Sequence, residues 1–134
     1  MTKKNERYLI LAIVACLFIS GVYINYKNKK ALSCLKANAS YTNATVVRFN
    51  EIAKFMDASI VYDFKVGAKK YTGDKTYSQI NKFKGDAFIG QTFLVVYSNK
   101  DPRNNQILIT EDDYMQFRMQ YPDTLLWTKK YFFD

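Results

Sequence analysis

The sequence predicts an α+β protein, mainly β: an N-terminal transmembrane helix, then a small antiparallel β-barrel or rolled sheet of about five to six strands with one C-terminal helix. Three observations predict it. Tyr8 to Ile24 (YLILAIVACLFISGVYI) is seventeen residues without a charge. Between residues 39 and 110, short segments of alternating or β-branched residues are separated by turn residues, with no alternation of strand and helix patterns. Finally, Thr110 precedes Glu111, Asp112 and Asp113, the signature of a helix start.

The apolar run comes first. As a helix at about 1.5 Å per residue it reaches roughly 26 Å, and roughly 29 Å if extended to Tyr26, close to the hydrocarbon thickness of a bilayer. Ten of its residues are Leu, Ile, Val or Phe, each favouring insertion by about 0.3 to 0.6 kcal/mol with no charge to oppose them. Tyr8 at one end and Tyr23 and Tyr26 at the other stand where an aromatic belt belongs, with basic residues just outside. The resulting division is a basic tail over 1–7, a transmembrane helix over 8–26, a basic juxtamembrane linker over 27–38 and a small β-rich domain over 39–134. A cleaved signal peptide fits poorly, because the A-x-A-like Ala37-Asn38-Ala39 lies beyond the lysine cluster. Ile13-Val14-Ala15-Cys16 has the form of a bacterial lipobox, so a lipoprotein acylated at Cys16, acting as an inhibitor or immunity-type partner, is the alternative to an uncleaved anchor. The apolar Leu17-Phe18-Ile19 that follows weighs against it, and fatty-acid labelling discriminates the two.

Charge is distributed around this run. The net charge is +8, of which residues 27–36 supply +4 through Lys27, Lys29, Lys30 and Lys36 with no acid, while residues 37–134 hold thirteen basic and eleven acidic side chains. A nucleic-acid partner would require the excess on the folded domain, so none is expected. Three basic residues before the helix against four after it leave the charge rule nearly tied. The domain is expected on the extracytoplasmic (periplasmic) side from the anchor-plus-domain layout alone.

Within the domain, residues 44–49 (ATVVRF) are β-branched. In residues 59–66, Ile60, Tyr62, Phe64 and Val66 alternate with Ser59, Val61, Asp63 and Lys65, marking one buried and one mostly wet face. Gly67-Ala68-Lys69 is short enough for a hairpin, with a return strand through Tyr71 and Thr72 to Tyr77. Residues 78–84 read as a loop or single helical turn. Residues 92–97 (TFLVVY) are apolar on both faces and are expected at the centre of the sheet. After the turn-rich loop over 98–106, Ile107-Leu108-Ile109 makes a short closing strand. The helix after Thr110 places Tyr114, Phe117 and Tyr121 on one stripe and stops at Pro122, and residues 124–133 (TLLWTKKYFF) return to strand-like composition.

Val61-Tyr62-Asp63-Phe64-Lys65-Val66-Gly67, Tyr71-Thr72-Gly73, Gly90 to Tyr97 and the Asp101-Pro102 loop with Asn104-Asn105 form a pattern of their own. Together they resemble the signature of a family of uncharacterised bacterial membrane proteins with a small β domain, running Y-x-V-x-G-x-x-Y-x-G, then G-x-x-V-x-V-x-Y and a Pro-containing loop. The resemblance covers about residues 44–110 and implies membrane anchoring and a β fold, with no catalytic residue to carry over. Many members carry a second membrane helix after the domain, which this sequence lacks, and its C-terminal helix and aromatic tail fall outside the pattern.

Little points to chemistry. With no histidine, Cys34 has no imidazole base, and His-containing metal sites are excluded. Glu111, Asp112 and Asp113 are adjacent and splay around a helix, so carboxylate chemistry, the enzyme alternative, lacks a converging pair. Asn99, Asp101, Asn104 and Asn105 read as a turn in preference to a calcium loop, since Lys100 and Arg103 intervene. No enzyme activity, cofactor or metal is therefore expected, and the function read here is a membrane-anchored binding or assembly module. Its expected partners are the lipid bilayer and a protein. The candidate interface is the tail residues Trp127, Lys129, Lys130, Tyr131, Phe132 and Phe133, which mix aromatics with basic charge; an edge strand packed on the barrel is the plainer reading of the same residues. Cys34, beside the bilayer, is a candidate for an intermolecular disulfide and hence a homodimer.

Overall fold

The computed structural model describes residues 3–52 and 57–133. Met1, Thr2 and Asp134, ends of the expected basic tail and domain, lie outside the described residues. The chain divides into two units, 1–34 and 35–134.

Helix α1 spans Lys3–Ala37 in one unbroken run of 35 residues, so the basic stretch after the apolar run is helical up to Ala37. Every residue from 5 to 31 is exposed, the whole apolar run included. A water-exposed helix of this composition has no driving force to stay in water. One such helix near the N-terminus is long and apolar enough to span a membrane.

The second unit is a five-stranded antiparallel sheet in the order β3-β2-β1-β4-β5, built from β1 (Ala39–Ile52), β2 (Asp57–Val66), β3 (Lys69–Tyr77), β4 (Thr92–Ser98) and β5 (Asn105–Leu108). Strand β1, not β4, holds the centre. It is long enough to serve two neighbours in succession: Ala39 to Thr45 pair with β4, and Ala44 to Ile52 with β2. Its register with β2 shifts between Val46 and Arg48, a bulge at Val47 that bends the strand and curls the sheet into a half-barrel. β4 is apolar on both faces for another reason. Phe93 and Val95 face the concave core, while Val96 joins Leu35, Leu108 and Tyr114 in a second cluster on the opposite face. Two-sided burial here reports a covered outer face, which is why the sequence pattern misplaced this strand.

The β2 alternation is realised, with Ile60, Tyr62 and Phe64 buried and Lys65 exposed, although Val61 is also buried. Val66 pairs with Lys69 across a two-residue turn that opens with Gly67 at φ +60°, where a tight hairpin favours glycine. Opposite Tyr62 sits Gly73. A Cβ at Gly73 would collide with the Tyr62 ring and with Asn105 Oδ1, so the glycine is what lets Tyr62 reach across the concave face. The Tyr62 hydroxyl donates to Asn105 Oδ1 at 2.8 Å and accepts from the Ile107 N–H at 3.1 Å, tying β2 to β5 across the curl.

Helix α2 spans Glu111–Gln116 and ends a turn sooner than its aromatic stripe predicts. Arg118 adopts φ +57°, the Met119 N–H donates to the Tyr114 carbonyl and the Arg118 N–H to the Met115 carbonyl, a Schellman stop made without glycine. Tyr114 and Tyr121 still meet edge to face at 5.5 Å. The tail is a correction as well: Asp123–Tyr131 forms a 3-10 helix, not a strand. Leu125, Thr128 and Tyr131 recur every third residue, the period that lines up one side of a 3-10 helix. Among the described residues of the tail, strand-like pairing survives as the bridge between Ile80 and Phe132. A further 3-10 stretch, Lys82–Phe88, broken by a kink at Lys84, precedes β4.

Candidate functional site

The domain carries an open, polar cleft of about 500 Å³ between the end of β3, the start of α2 and the tail. Its hub is Asp113, the third residue of α2 and only 5% exposed. Thr110 and Asp113 make a reciprocal capping box: the Asp113 N–H donates to Thr110 Oγ1, and the Thr110 N–H donates to Asp113 Oδ2 at 3.0 Å. Asp113 Oδ2 also accepts from the Ile109 N–H at 2.9 Å and from the Tyr77 hydroxyl at 2.7 Å, while Oδ1 pairs with the Lys75 ammonium. One carboxylate thus joins β3, the Ile109-Thr110 link that follows β5, and α2.

The surroundings follow from burial. Tyr77 is buried, so its phenol is held well above its ordinary pKa by desolvation first and by the Asp113 charge second. Burial likewise lowers the Lys75 pKa, with Asp113 opposing that shift, and the Lys75 ammonium also lies 4.8 Å from the centre of the Tyr77 ring. At the rim, Lys129 pairs with Glu111 at 2.8 Å and lies over the Tyr121 ring. An exposed pair of this kind contributes about 0 to 1 kcal/mol. Thr128 closes the floor, its hydroxyl donating to the Leu125 carbonyl at 2.9 Å. The buried acid of the cleft is committed to structural bonds, and the charged side chains paired at its rim are Glu111 and Lys129.

The tail residues singled out in the sequence separate into two groups. Trp127, Tyr131 and Phe132 are half-buried and pack against the core, with Trp127 at 5.6 Å from Phe88 and 6.2 Å from Phe93 between ring centres. Lys129, Lys130 and Phe133 are exposed, and Phe133 and Lys129 border the cleft. Leu126, unremarked in the sequence, is 52% exposed on the same segment. Tyr8, Tyr23 and Tyr26 are exposed along α1, as are the Cys16 and Cys34 thiols. The Asp101 loop is a local turn: Asp101 accepts from the Arg103 N–H and guanidinium, and the Asn105 amide donates to the Pro102 and Arg103 carbonyls. Among the described residues no group of three or more Cys, Asp or Glu side chains is placed to hold a metal ion.

Lys75 and Tyr77, which complete the cleft, escaped the sequence reading because they lie on an edge strand that reads as polar. The Thr110-to-Asp113 spacing was the one legible signal.

No protein family, curated protein or solved structure matches this chain.

Proposed function

We propose that this chain is a single-pass, membrane-anchored and non-enzymatic binding or assembly module, presenting its curled sheet at the membrane surface on the extracytoplasmic side to a protein partner. The observation that carries this reading is α1, whose uncharged seventeen-residue run is exposed on all sides and so lacks any protein partner among the described residues. In hydrocarbon that exposure becomes favourable burial. The committed hydrogen bonding of Asp113 and the pairing of Glu111 favour a docking role over turnover. Leu126 and Phe133 are exposed on the tail segment, and apolar and aromatic side chains of this kind are what a protein partner can cover.

Cross-linking through lysine amines in intact membranes, followed by mass spectrometry, tests it. A reproducible protein cross-linked at Lys129 or Lys130 is the expected result. Cross-links scattered evenly over the domain surface would sink the interface, and release of the chain by alkaline carbonate would sink the anchor.

A further inference from the structure

Residues at i, i+3, i+4 and i+7 share one face of an α-helix. In α1 those positions are filled by Tyr23, Tyr26, Lys27 and Lys30. Both tyrosines are 64% exposed, and both lysines are exposed with no ion pair among the described residues. No acidic residue occurs between Glu6 and Glu51, so the helix offers these ammonium groups no carboxylate. Lys29 falls outside the face, roughly 110° from its centre at about 100° per residue.

Position along the axis adds the second part. The apolar run ends at Ile24, and Lys27 and Lys30 stand about 4.5 and 9 Å further on at about 1.5 Å per residue. The headgroup layer occupies about 5 to 8 Å on each side of the hydrocarbon. Lysine stems bend their ammonium groups toward that layer, and tyrosine hydroxyls sit at its inner boundary. The face therefore gathers two cations and two hydroxyl donors at the depth of lipid phosphates.

We propose that Tyr23, Tyr26, Lys27 and Lys30 form a binding face for the phosphate of an anionic phospholipid, on the leaflet from which the domain emerges. The inference rests on the membrane-anchor reading. A net negative headgroup satisfies both ammonium groups, whereas the choline of a zwitterionic lipid brings a third cation to the same place. Each lysine near an anionic surface strengthens attraction about fivefold.

The test uses the full chain in neutral detergent micelles, titrated with phosphatidylglycerol or phosphatidylcholine, with bound lipid counted by native mass spectrometry. The unaltered chain and Lys29→Gln should both prefer phosphatidylglycerol. Lys27→Gln and Lys30→Gln should each lower that preference about fivefold, and the double variant should abolish it. No preference in the unaltered chain, or an equal loss in Lys29→Gln, overturns the face. Displacement of the lipid by excess glycerol phosphate overturns the commitment to a lipid. Carbonate extraction of the same proteins separates the two failures: a chain retained in membranes without lipid preference refutes this inference alone, and a chain released refutes the anchor and this inference with it.

Discussion

Asp113 is the residue on which the domain's polar interior turns, and its removal has a calculable cost. Asp113→Ala strips acceptors from the Ile109 and Thr110 N–H groups and leaves Lys75 and Tyr77 facing the gap. Breaking a buried pair by removing one partner costs about 3 to 5 kcal/mol. Lys75 keeps 21% of its side chain exposed and can turn toward water, so the low end applies and the expected loss is about 3 to 4 kcal/mol with the cap included. Lys75→Met keeps the stem packed and leaves Asp113 three donors, so it should cost only about 1 to 2 kcal/mol. The double variant should lose little more than Asp113→Ala alone, a coupling of about 1 to 2 kcal/mol. Urea unfolding of the full chain in micelles reads this through Trp127, the single tryptophan, which is packed on Phe88 and Phe93. A unit of this size holds about 5 to 15 kcal/mol, so each variant should still fold. Losses that add within about 0.5 kcal/mol would refute the claim that Lys75 and Asp113 act as one unit.

Three further outcomes follow from the same structure. Arg118→Gly should raise stability by about 1 kcal/mol, because glycine takes the left-handed stop of α2 without steric cost; a loss in the same urea assay would mean that the Arg118 side chain matters more than its backbone. Gly73→Ala should destabilise by about 1 to 3 kcal/mol, since the new Cβ meets the Tyr62 ring and Asn105, and a neutral result would show that the cross-curl tie can shift. Burial holds the Tyr62 and Tyr77 phenols above the ordinary tyrosine value. The stability they contribute is therefore whole below pH about 10 and falls as pH rises further, because the unfolded chain ionises first. Lys75, lowered by burial, pushes the other way as pH approaches its ordinary value of about 10.4, so the net decline reflects the two tyrosines. Tyr77→Phe should flatten that decline, and an unchanged slope in urea midpoints measured across this range would contradict the assignment.

Much of the fold was legible in local pattern. The uncharged run, the β2 alternation, the Gly67 hairpin and the Thr110 cap each rest on residues within a few positions of one another. What escaped rests on distant contacts. The first residues of β1 are strand because β4 lies beside them, and Ala39 to Asn43 carry no strong strand pattern of their own. The tail shares its aromatic and β-branched composition with strands, and only its threefold recurrence, locked by Thr128, distinguishes a 3-10 helix. The α2 stop was hidden because arginine, not glycine, takes the left-handed position. The cleft needed the curl of the sheet to bring Lys75 and Tyr77 to Asp113, which lies 38 residues from Lys75 in the chain.

The membrane anchor is tested most directly by the two cysteines. Both thiols are exposed on the protein itself, but Cys16 lies inside the apolar run and Cys34 ten residues past its end at Ile24. A thiol reacts with maleimide as its thiolate, which hydrocarbon suppresses. Membranes carrying the full chain, reduced first, then treated with a permeant maleimide and digested for mass spectrometry, should show Cys34 modified and Cys16 protected, with both modified once the chain is denatured in detergent. Equal modification of Cys16 and Cys34 in the intact membrane would contradict the account.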